Sequence, residues 1–165
     1  MKTLFLLRHA KSSWQNPDLQ DFDRPLNTRG LAGAELVGKF IKNQKLSFDL
    51  VLSSPAVRAR ETIEIVLKTA GLAPELRYDQ RIYEANTLTL IEIIAQIEEE
   101  KRTVIIVGHN PGIEKMVETF TGVIAQVGTG NLIKIDLKAE KWSKALEGQS
   151  NLDWLVKPKE LGAVK

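Results

Sequence analysis

Three stretches of the chain are almost continuously apolar and rich in β-branched or bulky residues: Thr3 to Leu7, Phe48 to Leu52, and Thr103 to Val107. Runs of this kind, lacking a polar alternation, predict strands buried on both faces of a mostly parallel sheet. Between them the apolar spacing changes to that of helices. A first helix is predicted from Asn27 or Thr28, either of which can cap it, with Leu26 placed as a staple and Leu36, Val37, Phe40 and Ile41 turned inward. A second, capped by Ser54 with Pro55 at its first position, buries Ala59, Ile63, Val66 and Leu67 and stops at Gly71. A strand is expected within Glu75 to Tyr83, then a helix over 87–99 burying Leu88, Ile91, Ile94 and Ala95. The strand over 103–107 leads into a helix with Asn110 as cap, Pro111 at its first position and Ile113, Met116, Val117 and Phe120 inward. Late strands are predicted at 132–137 and 152–156, joined by a polar link. The segment from Lys11 to Arg24 has no period and reads as a long loop, and long loops in compact domains often carry function. This order predicts a three-layer α/β/α sandwich with a mostly parallel, mixed central sheet, one domain over 1–165.

Composition narrows the function classes. The 165 residues are 43% hydrophobic and 27% charged, ordinary for a soluble domain. The net charge of +2 argues for neither a nucleic-acid nor a membrane partner. The chain has no cysteine, which excludes disulfides, thiolate catalysis and thiolate zinc sites. Only four apolar residues follow Lys2 and Thr3, too few for a signal-peptide core, so a cytoplasmic protein is expected; a monomer is the default expectation.

Both histidines of the chain directly follow an apolar run: Arg8-His9 after the first, Gly108-His109 after the third. In open α/β sheets ligands bind outside the carboxyl ends of the strands, so residues a hundred positions apart are expected at one edge. The second run delivers Ser53, Ser54, Pro55 and then Arg58 to that edge. Arg58 is expected near the fourth residue of its helix, where the macrodipole disfavours a cation unless an anion binds there. Two imidazoles and two guanidiniums converging on one crevice describe a phosphoryl site. The alternative is a metal site completed by Asp21 or Glu84, which the adjacent arginines make electrostatically poor.

The motifs then carry a resemblance. Leu6-Leu7-Arg8-His9-Ala10 is similar to the Arg-His-Gly signature of the histidine phosphatase superfamily, the phosphoglycerate-mutase-like enzymes. Ser53-Ser54-Pro55, Arg58-Ala59 and Thr62 resemble its second motif, and Val107-Gly108-His109-Asn110 its third. Asp23-Arg24-Pro25-Leu26, Gly30 and the closing Lys157-Pro158-Lys159 further resemble the small bacterial phosphohistidine phosphatase branch.

The resemblance implies His9 as a nucleophile that becomes phosphorylated, with Arg8, Arg58 and His109 holding the phosphoryl oxygens. It also implies Gln15 and Ser12 as further phosphate contacts and Glu84 as the general acid; the bland alternative for Glu84 is capping the helix that starts beside it. No cofactor or metal is implied. Ala10 departs from the family's glycine, which leaves slightly less room at that turn without touching the chemistry. The expected substrate is a phosphohistidine-bearing signalling or phosphotransfer protein. The alternatives are a small phosphoester, or a non-catalytic phosphate- or phosphoprotein-binding module. A mutase fits less well, since the chain is short.

Overall fold

A computed structural model describes residues 1–162. Its sheet has six strands: β1 (Thr3–Arg8), β2 (Leu50–Ser53), β3 (Glu75–Tyr78), β4 (Thr103–Gly108), β5 (Leu132–Asp136) and β6 (Asn151–Val156). They lie in the order β3-β2-β4-β1-β5-β6, with β3, β2, β4 and β1 parallel and β5 antiparallel to both neighbours. The sheet is therefore mixed and mostly parallel. Its central strands are apolar throughout because successive side chains serve opposite faces.

Phe5, Leu7, Val51, Ile105 and Val107 pack under helices α1 (Thr28–Asn43) and α2 (Val57–Ala70). Leu4, Leu6, Leu52, Val104 and Ile106 pack under α3 (Thr87–Ala95) and α4 (Gly112–Thr121). A short α5 (Pro158–Gly162) follows β6. The chain moves from β1 to β2 to β3 with its helices on one face, then returns to β4 with helices on the other. That reversal beside β1 and β4 is the topological switch point where a crevice opens.

Several expected boundaries shift. The helix after β2 begins at Val57, capped by the backbone of Ala56, not at Pro55 with Ser54 as cap. Ser54 is fully buried, and its hydroxyl accepts from the Ala56 N–H (3.2 Å). Arg58 is consequently the second helical residue, still within the first turn. The helix after β4 starts at Gly112 with Pro111 as its cap, after a cis Asn110–Pro111 bond; the Asn110 amide instead donates to the Val127 carbonyl (2.8 Å).

The inward face of α3 is rotated from the expected one. Leu90, Ile93, Ile94 and Ile97 are buried, whereas Leu88 is 71% exposed and Ala95 is exposed. Residues 90, 93 and 94 form the i, i+3, i+4 stripe that one helix face can present, and Ile97 packs on the same core just beyond the helix, which ends at Ala95 rather than Glu99. In α1, Phe40 and Leu36 are only partly buried, because the covered face runs through Gly30, Ala34, Val37, Gly38 and Ile41. Gly30 is required there: a β-carbon would lie 2.0 Å from the Lys11 carbonyl oxygen. That contact presses the loop after β1 onto the start of α1. The polar link between β5 and β6 holds a buried Trp142 that joins the core under α3 and α4. The expected strand over 75–83 ends at Tyr78 and gives way to a 3₁₀ turn at Gln80–Ile82.

Candidate active site

The parallel register pairs Thr3 with Thr103 and ends with Arg8 opposite Gly108. His9 and His109 thus leave adjacent strands one residue beyond the same rung, and their ring centroids lie 5.1 Å apart. The backbone continues the ladder, with His9 N–H donating to the Gly108 carbonyl (3.1 Å) and Ser54 N–H to that of Val107 (2.9 Å). The ends of β1, β2 and β4 are locked together before any side chain is considered.

Arg8, His9, Arg58 and His109 all line one cavity of about 280 Å³, along with Ser12, Trp14 and Arg24. The His9 Nδ1 lies 2.8 Å from the Ala10 carbonyl oxygen, an acceptor only, so Nδ1 carries the proton and Nε2 the lone pair. Arg58 Nε donates to that Nε2 (3.3 Å). The turn is held by Thr62, whose hydroxyl accepts from the Ala10 N–H (2.9 Å) and donates to the Arg58 carbonyl (2.6 Å). His109 Nε2 sits 2.8 Å from the Ser54 hydroxyl. Two buried nitrogens in this cluster, Arg8 Nε and His109 Nδ1, have no hydrogen-bond partner among the described residues.

Arg58 is only 7% exposed, despite its charge. Its Nη1 donates to the Asp21 carbonyl (2.7 Å) and its Nη2 to the Asp21 carboxylate (3.0 Å). Asp21 also accepts from Arg24 Nη1 (2.9 Å) and from the Tyr83 hydroxyl (2.7 Å). Burial works to raise the Asp21 pKa, but the bonds from Tyr83, Arg58 and Arg24 outweigh it and hold the carboxyl at about 2. Burial, reinforced by Asp21, pushes the Tyr83 phenol up to about 12. Arg24 stacks its guanidinium on the Trp14 ring (3.2 Å to the centroid) and donates to the Ser12 hydroxyl and the Ser13 carbonyl.

Of the residues expected from sequence, the fold gathers Arg8, His9, Arg58, His109 and Ser12. Gln15 is exposed and lies outside this cavity. Glu84 is exposed, with φ 57°, and lines a separate cavity of about 590 Å³ on the other side of His109. From that turn it is Tyr83 that faces the cluster, its ring edge 5.5 Å from the His109 centroid. Sequence reading missed Arg24 and Tyr83 as site residues and considered Asp21 only as a metal ligand. The signal for Arg24 was present in Asp23-Arg24-Pro25-Leu26, but nothing in an aperiodic loop shows which way it folds. Among the described residues no group of three or more His, Asp or Glu is placed to hold a metal. Asp21 is committed to two guanidiniums and a phenol.

Both imidazoles are held neutral. Burial foremost, with Arg58, Arg8 and Arg24 adding to it, lowers His9 to about 4. Burial, then His9 and Arg58, lowers His109 to about 3. Unfolded histidines take up a proton near pH 6.5, so the unfolded chain binds more protons than the folded one below that pH. The stability these groups contribute is fully present above about pH 6.5 and is lost as pH falls toward 4 and then 3. An NMR titration of the free protein is expected to show neither imidazole titrating until pH approaches 4. Midpoints near 6.5 would show solvated rings. Added phosphate should raise the His109 midpoint, since an anion beside it favours the cation.

A family model of the histidine phosphatase superfamily (branch 1) matches residues 4–102. An uncharacterized protein of Mycobacterium leprae is 39% identical over 119 residues, 70% of this chain and 71% of that one. The crystal structure of SixA from Agrobacterium tumefaciens, assigned as a phosphohistidine phosphatase, is 29% identical, with TM-score 0.82 over 95% of this chain and 98% of that chain. The protein histidine phosphatase SixA complexed with tungstate shares the fold, with TM-score 0.83 at 21% identity over 96% and 99% of the two chains. No helix among the described residues is long and apolar enough to cross a membrane.

Proposed function

The chain belongs to the histidine phosphatase superfamily, and from that premise we propose a cofactor-independent phosphatase that works through a phosphohistidine on His9, with phosphohistidine in a partner protein as substrate. The state of His9 carries this reading. Its proton is fixed on Nδ1 by the Ala10 carbonyl, and the lone pair on Nε2 stays unprotonated because burial and the surrounding arginines hold the ring neutral.

Attack proceeds from the Nε2 lone pair on phosphorus, while the bond from phosphorus to the substrate nitrogen breaks with its electron pair. Arg8, Arg58 and His109 surround the three equatorial oxygens, where charge accumulates in the transition state. The phosphorylated His9 ring is cationic, and the Nδ1–H bond to Ala10 stabilises it. Water then attacks phosphorus and His9 departs neutral, its Nδ1 proton never having moved.

The lining of the cavity favours phosphohistidine over an ester. Expelling an alkoxide needs a general acid, and among the described residues no carboxyl group lines the 280 Å³ cavity. Asp21, at about 2, is ionised and cannot donate. A phosphohistidine protonated on its second nitrogen releases neutral imidazole, whose conjugate acid has a pKa of about 6.5 and needs little help. Turnover of a phosphohistidine peptide is therefore expected to exceed that of aryl and alkyl phosphate esters by far. Because Glu84 lies outside the 280 Å³ cavity, Glu84→Gln should leave both the peptide rate and any residual ester hydrolysis within a small factor. Faster ester than phosphohistidine hydrolysis in the parent would overturn the substrate assignment. Equal, severe losses on both in the variant would place Glu84 in phosphoenzyme hydrolysis.

A further inference from the structure

A second depression of about 850 Å³ adjoins the phosphoryl cavity and shares Arg8, Lys11, Asn110 and Thr129 with it. It runs from the end of β1 past the start of α1 to α5, over a floor that includes Gly30, Gly33, Gly130 and Pro158. Glycine and proline expose little side chain there; a β-carbon on Gly130 would come within 2.9 Å of Pro158.

The charge around this groove is one-sided. Among the described residues, Arg8, Lys11, Arg29, Lys157 and Lys159 line it against one carboxylate, Glu114, which accepts from the Val127 N–H (2.8 Å). The nearby Glu160 accepts from the Lys157 backbone N–H (3.2 Å) and is not part of the lining. Among the described residues none of Lys11, Arg29, Lys157 and Lys159 has a carboxylate within 4 Å, so their charge is not neutralised by an ion pair within the fold. A chain with a nearly balanced 23 cations and 21 anions thus sets five cations against one described carboxylate beside its phosphoryl site.

We propose that this groove is the docking track for an acidic segment of the phosphorylated protein. The inference rests on the reading of the site as a phosphohistidine phosphatase and names what else of the substrate is recognised. The phosphoryl cavity is about 280 Å³, room for the phosphoryl group and its imidazole. The chain bearing that imidazole must then cross the adjoining surface. A small polyanion would call for an enclosing pocket that buries most of it. Here Lys11, Arg29 and Lys159 are exposed along an open groove, an arrangement that steers and registers an extended acidic segment.

The test uses Arg29→Gln/Lys157→Gln/Lys159→Gln, three positions outside the phosphoryl cavity. Binding of an unphosphorylated, fluorescently labelled Asp/Glu-rich peptide is measured by anisotropy, and turnover is measured on phosphoramidate and on phosphohistidine peptides with acidic or neutral flanks. Exposed ion pairs are individually weak, so three together are expected to be worth about tenfold. The parent should bind the labelled peptide and prefer the acidic phosphopeptide in kcat/KM by about that factor at low salt, fading as salt screens the charges. The triple variant should lose both effects and keep the parent rate on phosphoramidate. Equal peptide binding by parent and variant would overturn the proposal. So would displacement of the peptide by pyrophosphate at equal concentration, which would mark a small-polyanion site. Intact, charge-dependent peptide binding without turnover of any substrate would support the groove and count against the phosphatase reading alone.

Discussion

His9→Ala is expected to lose turnover by roughly 10⁶-fold, the scale seen when a covalent nucleophile is removed, while melting close to the parent. The ring is buried at the mouth of a polar cavity, among arginines, rather than in either apolar core. Its removal deletes one bond to Ala10 and one from Arg58, and leaves the Thr62 contacts that hold the turn. Brief reaction of the parent with labelled substrate should trap phosphate on the protein in an acid-labile, base-stable form, as a phosphoramidate requires. Label that survives acid, or that appears on the alanine protein, would sink the covalent mechanism. Turnover should also survive excess chelator. Its loss there, restored by one divalent metal, would return the metal reading.

Arg58→Lys should be nearly as damaging as Arg58→Ala, although it keeps the charge. The guanidinium makes three directed bonds at once: Nε to His9, Nη1 to the Asp21 carbonyl and Nη2 to the Asp21 carboxylate. It therefore orients the His9 ring, the proposed nucleophile, and ties down the segment carrying Asp21, 37 residues away. An ammonium is a point charge and cannot span those directions. Loss of one such transition-state contact is worth about 2.7–4 kcal/mol, a hundredfold to a thousandfold in rate. The expected signature is a fall in kcat for both variants. Near-normal kinetics in the lysine protein would reduce Arg58 to a charged wall residue.

The sheet was legible in the chain because its central strands are covered on both faces, and that demands the unbroken apolar runs at β1 and β4. From there the meeting of His9 and His109 followed from topology. Legibility failed where a side chain serves the site instead of its own helix. Ser54 and Asn110 are ordinary cap residues by type, yet one hydroxyl is spent on His109 and one amide on Val127. It failed again at α3, where Leu88 looks like a core residue but Leu90 sets the phase. Residues 12–24 offered no period to read. Their placement depends on Asp21 reaching Arg58 and on Arg24 reaching Ser12 and Ser13, long-range pairings that composition cannot reveal. Glu84 and Tyr83 are adjacent in sequence, and the left-handed turn at Glu84 decides which of them faces His109.

The pairing of β1 with β4 also ties the appearance of the proposed phosphoryl site to the folding history of the chain. His9 and His109 come from strands a hundred residues apart, with β2, β3 and three helices intervening in the chain, so their meeting closes one of the longest loops in the molecule. Such contacts form late, because the entropy of closing them must be offset by pairing. A collapsed intermediate with helices formed and β1 unpaired would offer Arg8 and His9 without His109, and would hold phosphate poorly. During refolding, the gain of phosphate affinity should coincide with protection of the β1 and β4 amides rather than with the earlier rise of helical signal. Phosphate in turn should slow unfolding of those two central strands, making ligand occupancy a clock for the last pairing event of the fold.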